Sequence, residues 1–249
     1  MAPRPMLAFD LPAVAAPAEC LAWDEAMLDA VEHGECGPAL WFWQAPAPCV
    51  VVGYGQSPRR EVHVEACKAD GVPVLRRCSG GGTVVQGPGC LSYAVALPVH
   101  FHPALETIRG TNGLVMARQQ AAIQSIVPGH VEILGHTDLV WNQRKVSGNA
   151  QRRKRQAVLF HGTFLHALDL ALVPRWLPQP SSQPAYRDNR AHGDFIANLP
   201  CHPRAIREAL TRQWHARDGP PPAAVLPRVQ QLMAQRYSLP GWHDRRAED

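Results

Sequence analysis

Apolar positions recur at helical spacing near the start of the chain, at strand spacing through its middle, and at helical spacing again near its end. Leu21, Leu28 and Val31 share one face of a helix expected from Glu19 to His33, which Gly34 closes. Leu40-Trp41-Phe42-Trp43 and Cys49-Val50-Val51-Val52-Gly53 are short runs of aromatic and β-branched side chains, the composition of strands. A second helix is expected between Glu61 and Asp70, stopped by Gly71. Val72 to Leu75 and Thr83 to Val85 read as a hairpin that turns on Gly80-Gly81-Gly82, with Leu91 to Leu97 as the next strand. Pro103 opens a long helix to about Ile126, with Ile108, Val115 and Ala122 a heptad apart. Strands follow at Val131 to Leu134, Leu139 to Trp141, Lys145 to Ser147 and Val158 to Leu165. Residues 174–193, rich in Pro, Gln and Ser, read as an extended surface crossing. Helices over about 203–216 and 227–237 flank Gly219-Pro220-Pro221-Pro222. Strands and helices mixed without strict alternation, and without an internal repeat, describe an α/β domain with a mixed or antiparallel sheet.

Size and composition narrow the class. A chain of 249 residues can bury one large core, and 46% hydrophobic against 18% charged residues fits a globular protein and excludes a disordered one. A net charge of +4 favours an anionic ligand or an acidic partner protein, and is too small to argue for nucleic acid. The seven cysteines are scattered, odd in number and never spaced CxxC, a poor disulfide framework and a poor zinc site. The Pro-broken first twenty residues lack an apolar run, and nothing approaches a membrane span, so the expectation is a soluble, cytoplasmic protein.

Two segments about sixty residues apart carry the chemistry. Arg76-Arg77-Cys78-Ser79-Gly80-Gly81-Gly82-Thr83-Val84 joins two arginines to three glycines. Backbone without Cβ atoms can bring successive N–H groups up to an anion, and an arginine on a strand can add a bidentate fork while its neighbour points the other way. The same glycines also suit a plain hairpin. They match neither a Walker loop, lacking GK[ST], nor a dinucleotide GxGxxG. The second segment sets Asp138 and Lys145 around the small-residue turn Ser147-Gly148-Asn149-Ala150. Lysine is rare here, only Lys68, Lys145 and Lys154, so one inside a glycine-rich motif stands out. Lys145 is either a surface charge or a cation for a phosphate or an acyl carbonyl, and Asp138 either a polar cap or a Mg²⁺ ligand or Lys145 partner. His161 is a core histidine or a contact to the same group. Cys78 and Cys90 flank the first loop as inert thiols or nucleophiles. Arg152-Arg153-Lys154-Arg155 lacks interleaved aromatics and reads as a solvated hairpin tip, not a nucleic-acid site.

Together these motifs resemble the lipoate–protein ligase A family, within the wider group of biotin and lipoate ligases and octanoyltransferases. The first segment matches that family's RRxSGGGxV. The second matches its NDL, KxSGxA and HG elements through Thr137-Asp138-Leu139, Lys145-Val146-Ser147-Gly148-Asn149-Ala150 and His161-Gly162-Thr163, and the Asp24-Glu25 helix and Val50–Gly53 strand fall in the family's order. The resemblance implies a catalytic domain with a mixed, largely antiparallel sheet flanked by helices. It spans 1–249 as one domain, core about 18–200 and C-terminal helices 201–249, without a C-terminal accessory domain. It implies a two-step reaction: lipoate and Mg·ATP give lipoyl-AMP, and the lipoyl group then passes to a lysine of a lipoyl carrier domain. Arg77, Ser79, Gly82, Thr83, Val84, Val85, Lys145 and Ala150 would bind ATP. Gly81, Lys145, Ser147, Gly148 and His161 would bind lipoate, Asp138 would hold Mg²⁺, and Lys145 is the catalytic cation.

The chain departs from the family where Gln86-Gly87 stands for His-Asp and Cys90 for Asn, positions near the nucleotide or acyl pocket. Relatives without the accessory domain use a separate small partner subunit or do not use ATP. The rival reading is therefore an octanoyltransferase or lipoyl amidotransferase acting through a cysteine thioester, with Cys90 as its nucleophile if it faces Lys145. The segment from Val131 to His136, where one such branch carries its cysteine, has none. A reading of another class is a non-catalytic subunit that binds lipoate or the carrier. A biotin ligase fits less well, because its glycine motif differs.

Overall fold

The computed structural model describes residues 5–13 and 15–245. Its strands in chain order are β1 (Leu7–Asp10), β2 (Ala39–Trp43), β3 (Cys49–Val52), β4 (Val74–Arg76), β5 (Val84–Gln86), β6 (Cys90–Pro98), β7 (Val131–Leu134), β8 (Asp138–Trp141), β9 (Arg144–Arg153), β10 (Ala157–Leu165) and β11 (Arg217–Asp218). Eight form one sheet in the order β11-β1-β2-β6-β10-β9-β8-β7, and β4-β3-β5 form a second. Only β1 runs parallel to its neighbours in the large sheet, and β4 runs parallel to β3 in the small one, so the fold is mixed and mainly antiparallel.

Helices cover both faces of the large sheet, which is why β2 reads as a continuous apolar run instead of an alternating one. Trp41 and Trp43 face helix α1 (Pro17–Glu32), and Leu40 and Phe42 face the opposite core beneath α2 (Ile108–Gln124) and α3 (Pro203–Gln213). Helix α4 (Leu226–Leu232), with its continuation to Tyr237, packs back onto α1.

Two local expectations are corrected. The triple glycine is not a hairpin turn: β4 and β5 never pair but flank β3 on opposite sides, so residues 77–83 cross over the end of β3. The helix expected from Pro103 begins only at Ile108, capped by Thr107, whose Oγ1 accepts from Gly110 N at 2.9 Å, and Pro103–Glu106 is a separate 3₁₀ turn. Ile108 accordingly falls off the buried face and is 61% exposed. The helix expected between Glu61 and Asp70 is present as Val64–Ala69, preceded by a separate turn at Pro58–Glu61. β1, four residues between prolines, carries no sequence signal strong enough to separate it from the Pro/Ala-rich lead.

Arg76 faces away from the cavity described below but not outward to solvent. It is completely buried, and its guanidinium donates to the main-chain carbonyls of Gly53 (2.9 Å), Tyr54 (3.1 Å), Gln56 (2.7 Å), Trp242 (3.1 Å), His243 (3.0 Å) and Arg245. It thus pins the loop after β3 to the C-terminal segment.

Candidate active site

One row of the large sheet forms a floor. Register places Trp43, Ser92, Thr163, Gly148 and Asp138 side by side across β2, β6, β10, β9 and β8, with His161 between Ala94 and Ala150 in the adjoining row. Above it lies a cavity of about 680 Å³, within the size range of small-molecule sites. Leu21, Trp43, Leu165, Leu168, Val173 and Leu177 give it apolar walls, and residues 178–196 close one side. That segment is the expected extended crossing, but it carries short helical turns at Ala185–Arg187 and His192–Phe195 and is part of the site.

Lys145 and the loop residues Gly81, Gly82 and Thr83 border this one cavity, although they come from different sheets. Lys145 Nζ lies 2.8 Å from Asp138 Oδ1, with side chains 26% and 13% exposed. Its stem lies over Gly148, where a Cβ would stand 2.9 Å from both Lys145 Cε and Nζ and would push the lysine end aside. On the facing loop, the N–H groups of Gly80, Gly81, Gly82 and Thr83 donate no hydrogen bond among the described residues, although Thr83 Oγ1 bonds Gln56 Oε1 at 2.7 Å. Four adjacent free donors beside a cavity form an anion-binding concavity. At Gly81, whose φ of +87° favours glycine, an added Cβ would stand 3.5 Å from Ala150 Cβ, so the two motifs lie side by side.

Arg77 builds this loop instead of reaching out from it. It is buried, and its guanidinium donates to Gly80 O (2.6 Å), Gly82 O (2.7 Å), Ser79 Oγ (3.1 Å) and Val51 O (3.3 Å). Desolvation pulls its pKa down to about 10. Ser79, expected at the nucleotide, is not on the cavity wall. It is fully buried, with Oγ 2.5 Å from His161 Nε2. His161 Nδ1 in turn donates to Asp24 Oδ2 at 2.6 Å, and Asp24 Oδ1 accepts from Trp41 Nε1 at 3.0 Å. The order carboxylate–imidazole–hydroxyl is that of a nucleophilic triad. Here Ser79 Oγ also receives Arg77 and sees no cavity, so the chain orients His161, which does line the cavity. Asp24 was named only as part of a helix in the right order. Its position three residues after Leu21 and four before Leu28, a charge on the apolar face of α1, is the signal that would have found it.

The remaining expected site residues Val84, Val85, Ser147, Gly148 and Ala150 all border the cavity. So does Gln86, whose Nε2 donates to Thr163 Oγ1 (2.7 Å) and Ser92 Oγ (3.2 Å). Gly87 packs against Pro48 and does not border it. None of the seven cysteines, all free and all among the described residues, borders the cavity. Cys90 lies in an apolar cluster with Val85 and Val50, where burial pushes its thiol up to about 12, and burial likewise raises Cys78. Among the described residues no group of three His, Cys, Asp or Glu side chains could enclose a metal, and no helix is long and apolar enough to cross a membrane.

Register also makes Gly162 a fixed point: a Cβ there would stand 1.9 Å from Asn149 Oδ1 and 2.7 Å from Gly148 O. Asn149 is locked by Tyr93 Oη (2.6 Å) and by Thr137 O (2.6 Å), so it cannot yield without disturbing β8 and β9. Gly162→Ala is expected to cost about 1–3 kcal/mol of stability, read as a lower urea midpoint at unchanged m-value.

A mixed sheet that sets a lysine over a glycine, facing a loop of free N–H groups across an apolar-walled cavity, forms a small-molecule site with an apolar part and an anion-binding part. The chain belongs to the lipoyl protein ligase A/B catalytic domain family, whose description matches residues 16–202. It is 31% identical over 156 residues to a putative lipoate-protein ligase A of Aeropyrum pernix, covering 62% of this chain but only 56% of that protein. It is 30% identical over 223 residues to the octanoyltransferase LipM of Symbiobacterium thermophilum, covering 81% of this chain and 78% of that one. In fold it is similar to the bipartite lipoate protein ligase of Thermoplasma acidophilum, solved in a study of an archaeal lipoylation system and its E2 lipoyl domain. That likeness has a TM-score of 0.81 at 20% identity, covering 98% of this chain and 97% of that one. The family therefore includes both ligase and acyltransferase relatives.

Proposed function

We propose that this protein is a lipoate–protein ligase that activates lipoate with ATP and passes the lipoyl group to a lysine of a lipoyl carrier domain. The observation that carries the reading is the pairing, on one cavity, of Lys145 with Gly81, Gly82 and Thr83, whose N–H groups are free among the described residues, where no cysteine is present to form a thioester. A phosphate lies on those N–H groups as anions lie on backbone concavities, and the acyl chain runs over the floor row from Lys145 toward Trp43 and Leu21. Strand spacing of ~4.8 Å makes that row long enough for an eight-carbon chain with its carboxyl at Lys145.

In the first step a lipoate carboxylate oxygen attacks the α-phosphorus of ATP and pyrophosphate leaves with the electron pair of the broken P–O bond. In the second, the carrier lysine's neutral amine attacks the acyl carbonyl, AMP leaves, and the amine's proton is lost to solvent. No enzyme nucleophile takes part. Lys145 acts by charge, meeting both the acyl oxygen and the phosphate where negative charge grows, and the sheet and loop act by holding the reactants together. Asp138 is the one carboxylate beside Lys145. It fits Mg²⁺ brought by the nucleotide, because that ion takes one or two carboxylates and completes its shell with phosphate and water. Magnesium bound there would neutralise phosphate charge.

The test is the intact mass of a lipoyl carrier domain incubated with the protein, lipoate and Mg²⁺, with and without ATP. A lipoyl mass gain that requires ATP and persists in Cys90→Ser is the expected result. ATP-independent transfer from an octanoylated carrier, abolished in Cys90→Ser, would make the protein an acyltransferase instead. Lipoyl-AMP formed without transfer would mean that a second chain completes the enzyme, as in the bipartite neighbour.

A further inference from the structure

The segment that closes the cavity grips Lys145 twice. At the backbone, Ala197 N donates to Lys145 O at 2.9 Å, and Ile196 forms a parallel bridge with Lys145. At the side chain, Tyr186 Oη donates to Asp138 Oδ2 at 2.7 Å, while Asp138 Oδ1 receives Lys145 Nζ at 2.8 Å. The other ties of the segment lead elsewhere. Ser181 bonds Glu61, Arg190 reaches Gln143 O at 2.9 Å, and Arg144 reaches Gly193 O.

The Tyr186 ring is itself fixed. It packs on Phe195 at 5.3 Å between centroids, and its edge lies 3.4 Å from where a Cβ on Gly135 would stand. A carboxylate on its own can swing about its last torsion. With one oxygen held by a fixed phenol, Asp138 can present only the other to the ammonium. The lysine stem runs over Gly148, and its ammonium meets the oxygen of Asp138 that the phenol leaves open.

We propose that Tyr186 is a positioning residue: through Asp138 it sets the Lys145 ammonium, and so couples the closing segment to the reacting end of the cavity. The catalytic part of this inference rests on the reading of Lys145 as the cation that stabilises acyl-adenylate formation. The geometric part, that Tyr186 governs Lys145, does not. Tyr186 has no polar contact with the cavity of its own, and the phenol's only described partner is Asp138. It therefore acts on the reaction through another residue, not on substrate.

Tyr186→Phe tests this, since it keeps the ring and removes one hydroxyl. Two readouts separate the geometry from the chemistry. The first is competitive acetylation of the free protein with acetic anhydride, followed by peptide mass analysis. The chain has three lysines, and Lys68 and Lys154, paired with Glu65 and Asp29, serve as internal references. Lys145 is expected to label about three- to tenfold faster relative to Lys68 and Lys154 in Tyr186→Phe, and Asp138→Asn is expected to do the same with no further gain in the double variant. Unchanged Lys145 labelling, or effects that multiply in the double variant, would overturn the proposal whatever the enzyme's reaction is. The second is pyrophosphate release with lipoate and ATP. Tyr186→Phe should lower kcat about tenfold at little-changed KM for either substrate, because an orientation and not a contact is lost. A raised KM at constant kcat would make Tyr186 a binding residue and overturn the assigned role. If wild-type protein releases no pyrophosphate at all while the labelling result holds, the ligase reading fails and Tyr186's hold on Lys145 stands.

Discussion

Lys145→Ala is expected to form lipoyl-AMP about 10²–10³-fold more slowly than wild type, the usual penalty for removing one preorganised charge from a developing oxyanion or phosphoryl centre. The loss should fall mainly on kcat. On the proposed reading the acid would lie along the floor row and the apolar walls, and the nucleotide phosphates on the glycine-loop N–H groups, none of which the substitution touches. Stability should change little, because Lys145 is partly exposed and its partner Asp138 keeps the Tyr186 hydroxyl. Lys145→Arg should rescue poorly despite keeping the charge. The lysine stem already lies 2.9 Å from the space above Gly148, and a planar guanidinium needs more width than a compact ammonium. The measurement is single-turnover lipoyl-AMP formation alongside thermal denaturation. A Lys145→Ala protein that adenylates lipoate within a factor of ten of wild type would remove the lysine from the reaction, and with it the reason for Asp138 and Tyr186 to be arranged as they are.

How much of this was legible beforehand depends on how contiguous the chemistry is. Gly81, Gly82, Lys145, Gly148 and His161 lie in short motifs that stand out in the sequence, and all of these border the cavity. The mainly antiparallel mixed sheet was legible too, since most of its strands are separate apolar runs. What sequence could not supply was contact between distant segments. That Arg77 spends its donors on the loop, and that Ser79 turns inward to His161, depends on how β3, β4 and β10 come together. The hairpin reading of the triple glycine failed for a related reason. Two short β-rich runs joined by glycines look alike whether they pair with each other or with a third strand between them, and here β3 takes that central place. Tyr186 sits in a Pro-rich stretch with no periodicity, where no local pattern distinguishes a functional phenol from a surface one.

Arg76 gives the largest expected effect on stability. Arg76→Ala should destabilise the protein by about 4 kcal/mol, seen as a fall in Tm of about 10 °C for a chain of this size. Six main-chain carbonyls now share one buried guanidinium, and each that stays dry and unpaired costs about 1–3 kcal/mol. The total is less than their sum, because the C-terminal segment is at the surface and some of its carbonyls will find water. Arg76→Lys should recover only part of the loss, since an ammonium has three donors and lacks the planar fork that reaches two segments at once. The site should feel the change as well. The loop that Arg76 holds presents Tyr54 N to Ser79 O at 2.8 Å and Gln56 Oε1 to Thr83 Oγ1 at 2.7 Å, so loosening it loosens the anion-binding turn. At a temperature where both proteins are folded, Arg76→Ala should therefore show a raised KM for ATP with a much smaller change in KM for lipoate. If Tm stays within about 2 °C of wild type, the carbonyls have found other partners and the C-terminal segment is not what keeps the loop in place. If Tm falls but the KM for ATP does not move, the clamp serves the fold alone, and the glycine loop is held by Arg77 from within.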